Sequence, residues 1–292
     1  MDNIKDIKNR IESIRDTKKI TNAMYLIAST KMRKAKSDLD KTRPYFSAVQ
    51  AEIKRLFRIA GDVESKYFYP VNASEKLNGT YGILVITADK GLAGAYNQNV
   101  LKLAQKMISE HEDSKLFVVG EYGRQYFMQH RIPIERSFLY TAQNPTLQRA
   151  REICTLLLSL FDERKLDKIF VVYTDFKNGQ KEEVQSARLL PFHRSQFMSQ
   201  DEVSTKFEYE PTVVDVLDHI IPSYVAGFVY SALVDSYCCE QNARMTAMSS
   251  ANENAEEILA ELSLEFNRVR QAAITQEITE VSSGAKSLRN RN

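Results

Sequence analysis

The apolar and small positions at the start of the chain keep one spacing over dozens of residues. Ile4, Ile7, Ile11 and Ile14 are followed, through Lys18, by Thr21, Tyr25, Ala28, Met32, Ala35 and Leu39, an unbroken alternation of three and four. A seam of this period, with Lys and Arg filling the other faces, predicts a coiled-coil helix and not a surface helix of a globular domain. Pro44 either kinks that helix or starts a new segment; the helical pattern then holds from Tyr45 to Ile59 and stops at Gly61. The other end of the chain mirrors this. From Val213 to Leu288 there is one proline, Pro222, and only Gly227 and Gly284 as glycines, while apolar residues recur at Leu217, Ile221, Tyr224, Phe228 and Ala232, at Met245 and Met248, and at Leu259, Leu262, Phe266, Val269 and Ala273. This reads as one very long helix. At about 1.5 Å per residue the two segments would span roughly 80 and 110 Å, and neither carries a turn signal that would fold it back.

Between them the period changes. Tyr81–Ile86, Leu116–Val119 and Lys168–Tyr173 are short apolar runs of the kind that form buried strands, and Val184–Leu190 adds a further one. Helical patterns fall near Asn97–Glu110, Tyr122–His130 and Pro145–Glu163. Alternating strands and helices imply a mainly parallel, Rossmann-like sheet. The expected architecture is an α/β domain over residues 75–195, inserted between a helix at 1–60 and a helix at 208–289 that pair as one long antiparallel coiled coil.

Charge supports the pairing. The formal net charge is only +2, but residues 1–60 hold 15 Lys/Arg against 7 Asp/Glu, and residues 205–292 hold 7 against 13. The two ends are electrostatic complements. A basic arm alone could suggest nucleic acid, yet its aromatics do not interleave with the basic residues as stacking platforms would. No run of about 18 apolar residues appears; the richest stretch, Ile220–Val234, is broken by Pro222, Ser223, Gly227 and Ser231. A membrane span and an N-terminal targeting segment are therefore not expected. Cys154, Cys238 and Cys239 form no even framework and no metal spacing, which fits a reducing compartment.

In a fold of this kind catalytic motifs would sit where strands give way to helices. The first strand-to-helix junction, Thr87-Ala88-Asp89-Lys90-Gly91-Leu92-Ala93-Gly94-Ala95-Tyr96-Asn97, occupies the position of a phosphate loop but has neither GxGxxG nor GxxxxGK[ST] spacing, so it reads as a structural turn. His111, His130, His193 and His219 lie far apart in sequence and suit structural or surface roles. No GxSxG or HExxH constellation occurs, and no catalytic, cofactor-binding or metal-ligating residue is assigned. The run Glu240–Ala255 replaces large aliphatics with amides and small residues for several turns. That is longer than a register-fixing polar layer, and it predicts close helix approach or a surrounding partner.

Several of these segments resemble one family. Ile7-Lys8-Asn9-Arg10-Ile11, Thr17–Met24 and Ala28–Arg33 are similar to the start of gamma subunits of the rotary F-type ATP synthase, bacterial type. The junction Asp89–Gly94, the run Glu240–Ala255, Asn267–Glu280 and Ser283-Gly284-Ala285 extend the resemblance to the other end. It implies a central rotor shaft, not itself an enzyme, that couples ion-driven rotation of a membrane c ring to ATP synthesis or hydrolysis at beta-subunit sites. The implied partners are three alpha and three beta subunits in a ring, the epsilon subunit and the c ring. Membrane association would come through the complex alone, at the cytoplasmic face of a bacterial membrane. By residue match, the resemblance makes Arg270 and Gln271 contacts of the beta-subunit catch loop, and Met24, Arg244 and Gln276 further shaft coupling positions. Phe207, Glu208, Tyr209 and Glu210 would lie near the epsilon subunit and the c ring. Lys90 and Ala93 stand where the family junction usually has Arg and Cys, and a plant-type insertion with paired cysteines is absent.

Two other readings share parts of this pattern. A non-motor coiled-coil scaffold with an α/β head has the same architecture but needs no matched signatures at both ends. A dinucleotide enzyme of Rossmann type needs a phosphate-binding loop.

Overall fold

The computed structural model describes residues 2–60, 65–69, 79–177, 181–193, 210 and 212–289. Its elements are α1 (Asp2–Ala60), β1 (Tyr81–Ile86), α2 (Tyr96–Glu110), β2 (Ser114–Val119), α3 (Glu121–Gln129), β3 (Arg136–Phe138), α4 (Leu147–Asp162), β4 (Lys168–Lys177), β5 (Lys181–Leu190) and α5 (Val213–Arg289). They form two compact units, Met1–Ala28 with Arg244–Asn292, and Ser29–Ala243.

In the first unit the seam residues of α1 meet those of α5. Ile7 and Ile11 are buried with Leu262, and Ile14, Leu259, Phe266 and Val269 pack around them. Further along, Lys18 Nζ lies 2.5 Å from Glu256 Oε1, and the Thr21 hydroxyl donates to the Asn252 side-chain oxygen. As numbers rise on α1 they fall on α5, so the pairing is antiparallel. Each fully buried Ile or Leu contributes about 1.5–3 kcal/mol, whereas a largely exposed ion pair such as Lys18–Glu256 contributes about 1 kcal/mol at most. Apolar contact holds the arms. Opposed charge adds little, because other acids on α1 pair within their own helix, as in Asp16–Lys19, Asp38–Lys41 and Asp40–Arg43.

The second unit contains the sheet, in the order β3-β2-β1-β4-β5. β1 pairs in parallel with β2 and β4, β2 with β3 in parallel, and β4 with β5 antiparallel. β1 is covered on both faces, which is why its sequence is continuously apolar. Ile83 and Val85 pack with Val100, Leu101, Ala104 and Phe127 of α2 and α3. Leu84 and Ile86 point the other way, into a larger core with Ile153 and Leu157 of α4 and Leu217, Ile221, Val225 and Val229 of α5. α5 is long and apolar enough to cross a membrane by length and composition, and it also carries buried core residues, among them Leu217, Ile221, Val225 and Val229, packed with the sheet. β3 escaped sequence reading because Arg136-Ser137-Phe138 is too short and too polar to form an apolar run. β4 and β5 outrun their apolar segments as a polar antiparallel hairpin, pairing through Thr174↔Val184 and Asp175↔Glu183 as far as Lys177↔Lys181.

α1 continues through Pro44 without a break in the helix, although proline removes one helical hydrogen bond. Packing next to it is dense. A Cβ on Gly227 of α5 would lie 2.0 Å from Phe46 Cδ1, so this glycine is what lets the helices approach. Gly227→Ala should therefore lower the melting temperature, by the equivalent of about 1–3 kcal/mol of overpacking, despite alanine's better helix propensity; a melting temperature equal to or above the parent's would show that the contact relaxes without cost.

The same unit predicts a pH dependence. Burial, and then the nearby Asp175, push the Asp235 carboxyl up to about 7, with Arg43 acting in the opposite direction. Between about pH 4 and 7 the folded state thus keeps a proton that the unfolded state has lost, and stability falls as pH rises through that window. Asp235→Asn should raise the melting temperature relative to the parent more at about pH 8 than at about pH 5. An offset independent of pH would mean that this carboxyl is not the titrating group.

Candidate functional site

The turn after β1 is closed by its own side chains. The Thr87 hydroxyl donates to Val119 O at 2.8 Å and accepts from Gly123 N at 3.0 Å. The Asn97 side chain accepts from Ala88 N at 2.9 Å. Asp89 accepts from Glu121 N at 2.9 Å and from Gln143 N at 3.2 Å, tying the start of α3 and the middle of the 139–146 loop to this turn. Gly120 is required beside it: its φ is 96°, and a Cβ there would lie 2.3 Å from Thr87 O. Ala93 and Tyr96, where α2 begins, are buried with Ala88 against Cys239 and Ala243 of α5. One loop amide, Ala88 N, is thus held by Asn97, Asp89 is turned to the backbone of neighbouring segments, and the loop is packed against a helix. This supports the structural-turn reading. The locking roles of Thr87, Asp89 and Asn97 were not assigned from sequence, although short polar side chains that bond nearby backbone are a recognisable turn signal.

The run Glu240–Ala255 divides between the units. In the second, Cys239 and Ala243 are small enough for α5 to approach the turn, while Glu240 and Gln241 are buried and bonded to each other at 3.2 Å. In the first, Met248 and Ala255 are buried and Asn252 takes the Thr21 bond. Close helix approach accounts for both. The vicinal cysteines point to different neighbours, Cys238 towards Met32 O of α1 and Cys239 towards Thr174 O of β4. Burial first, and then Asp235, push the Cys238 thiol up to about 12, and burial raises the Cys154 thiol as well, so both are protonated and inert near neutral pH. Each histidine has local company: His111 stacks on Tyr81, His193 on Tyr69, and His130 and His219 contact the main-chain oxygens of Tyr126 and Asp215.

The five candidate shaft residues all fall in the first unit but do not converge on one point. Met24 is half-buried and Arg244 is buried, near the end marked by the Thr21–Asn252 bond. Arg270, Gln271 and Gln276 are exposed at the opposite end. Arg270 borders an apolar groove of about 440 Å³ with Ile4, Phe266, Ala273 and Ile274. Gln276 donates to Glu280 at 2.9 Å. Glu210 is exposed; Phe207, Glu208 and Tyr209 lie outside the described residues.

A family model described as ATP synthase matches residues 3–288. The ATP synthase gamma chain of Caldanaerobacter subterraneus subsp. tengcongensis is 42% identical over 292 residues, covering 96% of this chain and 98% of that protein. This chain belongs to the ATP synthase gamma-chain family. A sodium-ion-specific ATP synthase gamma chain of Acetobacterium woodii is 36% identical, covering 98% of this chain and 99% of the relative. Among solved structures, a chain from the central stalk and c-ring of the Tetrahymena thermophila mitochondrial ATP synthase superposes with a TM-score of 0.60 at 25% identity, over 80% of this chain and 99% of that one. The gamma-chain match spans both helical ends and the α/β domain between them.

The register of the paired arms can be checked directly. Thr21→Cys with Asn252→Cys should form a disulfide on mild oxidation, because the two side chains already touch; the readout is a tryptic map linking the two peptides. Pairing Thr21→Cys with a cysteine at Glu277 should give none. A crosslink at Glu277 and not at Asn252 would overturn the register.

Proposed function

We propose that the chain is the central rotor shaft of an F-type ATP synthase, a non-catalytic subunit coupling rotation of an ion-driven membrane c ring to ATP synthesis and hydrolysis at beta-subunit sites. The observation that carries this reading, beside the family match, is the free end of α5. From Ile274 to Lys286 every residue is exposed, and Ile274, Ile278 and Val281 form an apolar stripe at helical spacing. An exposed stripe of this kind marks a surface that a partner covers. A ring of alternating alpha and beta subunits would supply a largely apolar sleeve, and small neighbours such as Ala272, Ala273, Gly284 and Ala285 leave few charges to catch on it.

Torque needs a stiff element, and two helices wound on an apolar seam resist bending and twisting better than one. An asymmetric surface turning within the ring then favours a different conformation of each catalytic subunit through differential contact energy. We assign Arg270 and Gln271, both exposed, to the beta-subunit catch loop, and Met24, Arg244 and Gln276 to further coupling contacts. The segment Phe207–Glu210 is assigned to the end that meets the epsilon subunit and the c ring. Through these partners the chain is held at the cytoplasmic face of a bacterial membrane.

The reading is tested by assembly. The purified chain should hydrolyse no ATP, and adding it to alpha and beta subunits should produce hydrolysis with rotation of a bead attached to the chain. Hydrolysis without rotation would overturn the shaft assignment. Within that complex, Arg270→Ala removes a charge-assisted contact of about 1.5–3 kcal/mol, so hydrolysis and ion-driven synthesis should fall by about tenfold or more while assembly and melting stay unchanged, since the position is exposed. Unchanged activities in a correctly assembled complex would remove Arg270 from the coupling contacts.

A further inference from the structure

A cleft of about 630 Å³ lies in the second unit where the end of α3 meets β3. Its size is that of a ligand or peptide groove. Three guanidinium groups border it, those of Arg124, Arg131 and Arg136, and Met128, Ile132 and Ile134 supply apolar wall. Glu135 is the one carboxylate in the lining, and it lies close enough to Lys165 to support that ammonium's charge, second to Glu163. Arg124 is held in place by Glu121, with contacts of 2.5 and 2.8 Å. Among the described residues no carboxylate lies within ion-pair distance of Arg131 or Arg136.

Two further observations bear on what the cleft takes. β3 is the last strand of the sheet, so its outer edge has no strand partner among the described residues. Arg131 sits at φ 57° just past the end of α3, with its N–H bonded to Met128 O and the Ile132 N–H bonded to Phe127 O. That is a helix stop where glycine is the usual residue, and here an arginine occupies it beside the cleft.

We propose that this cleft is a docking groove for an acidic, extended segment of a partner protein. Its carboxylates would pair with Arg131 and Arg136, and its apolar side chains would rest on Met128, Ile132 and Ile134. Charge complementarity selects an acidic occupant. The apolar wall selects a peptide over a bare phosphate, which would leave that wall wet. An open sheet edge alongside offers main-chain bonds to the same extended segment. The groove is independent of the shaft assignment.

The test uses the full chain and a fluorescein-labelled octapeptide of alternating glutamate and leucine, with its lysine–leucine counterpart and pyrophosphate as comparison probes. Anisotropy should show micromolar binding of the acidic peptide alone, weakening as salt rises. Arg136→Gln and Arg131→Glu should each weaken it about tenfold, and Lys102→Glu, an exposed charge on α2, should leave it unchanged. Arg131→Gly suits the backbone at that position, so it should keep or raise the melting temperature and still lose binding, which separates charge from fold. No binding, equal binding of both peptides, or an equal loss with Lys102→Glu would overturn the proposal. Binding of pyrophosphate without the acidic peptide would also overturn it, in favour of a small-anion site.

Discussion

The two long helices depend on one constraint: an apolar seam on α1 has to find its complement on α5 in the opposite direction. In the first unit that seam supplies the core, Ile7 and Ile11 against Leu262 with Ile14, Leu259, Phe266 and Val269 around it, and Ala28, Met248 and Ala255 buried further along. There is no sheet to share the work. In the second unit the same two helices also carry Leu39, Ile53, Leu56, Leu217, Ile221 and Val225 into a core shared with α4 and the sheet. Polar contacts such as Thr21–Asn252 fix which residues meet, while burial supplies most of the stability.

In the α/β part of the chain, the turn after β1 stands where folds of this kind often hold a phosphate loop. Thr87, Asp89 and Asn97 direct their side chains to the surrounding backbone, and Cys239 and Ala243 bring α5 against Ala93 and Tyr96. The same loop position that elsewhere admits a ligand here joins the sheet to a helix.

Much of this was legible in the sequence, for a physical reason. Long period-3.5 patterns and buried parallel strands leave strong, redundant signals, so α1, α5, β1 and the main run of β4 could be placed from spacing alone. β3 could not, because its three residues are defined by hydrogen bonds to β2 and not by their own character. The charge asymmetry between the ends was real but energetically minor: the pair Lys18–Glu256 is largely solvated. For the site, Arg270, Gln271 and Gln276 were nameable only through family resemblance, since an exposed polar residue on a helix has no local pattern that marks it. The closure of the turn after β1 needed tertiary structure, because Asp89 bonds residues as far along as Gln143.

The separation of the two seams along the chain has a further consequence, for biosynthesis. Thr21 and Asn252 are 231 residues apart, so during translation α1 leaves the ribosome long before the helix that covers it exists. The contacts of the α/β core, which are mostly shorter in sequence, can form first; the first unit must wait for the last segment made. Such high contact order slows formation and leaves Ile7, Ile11 and Ile14 without cover in the nascent chain.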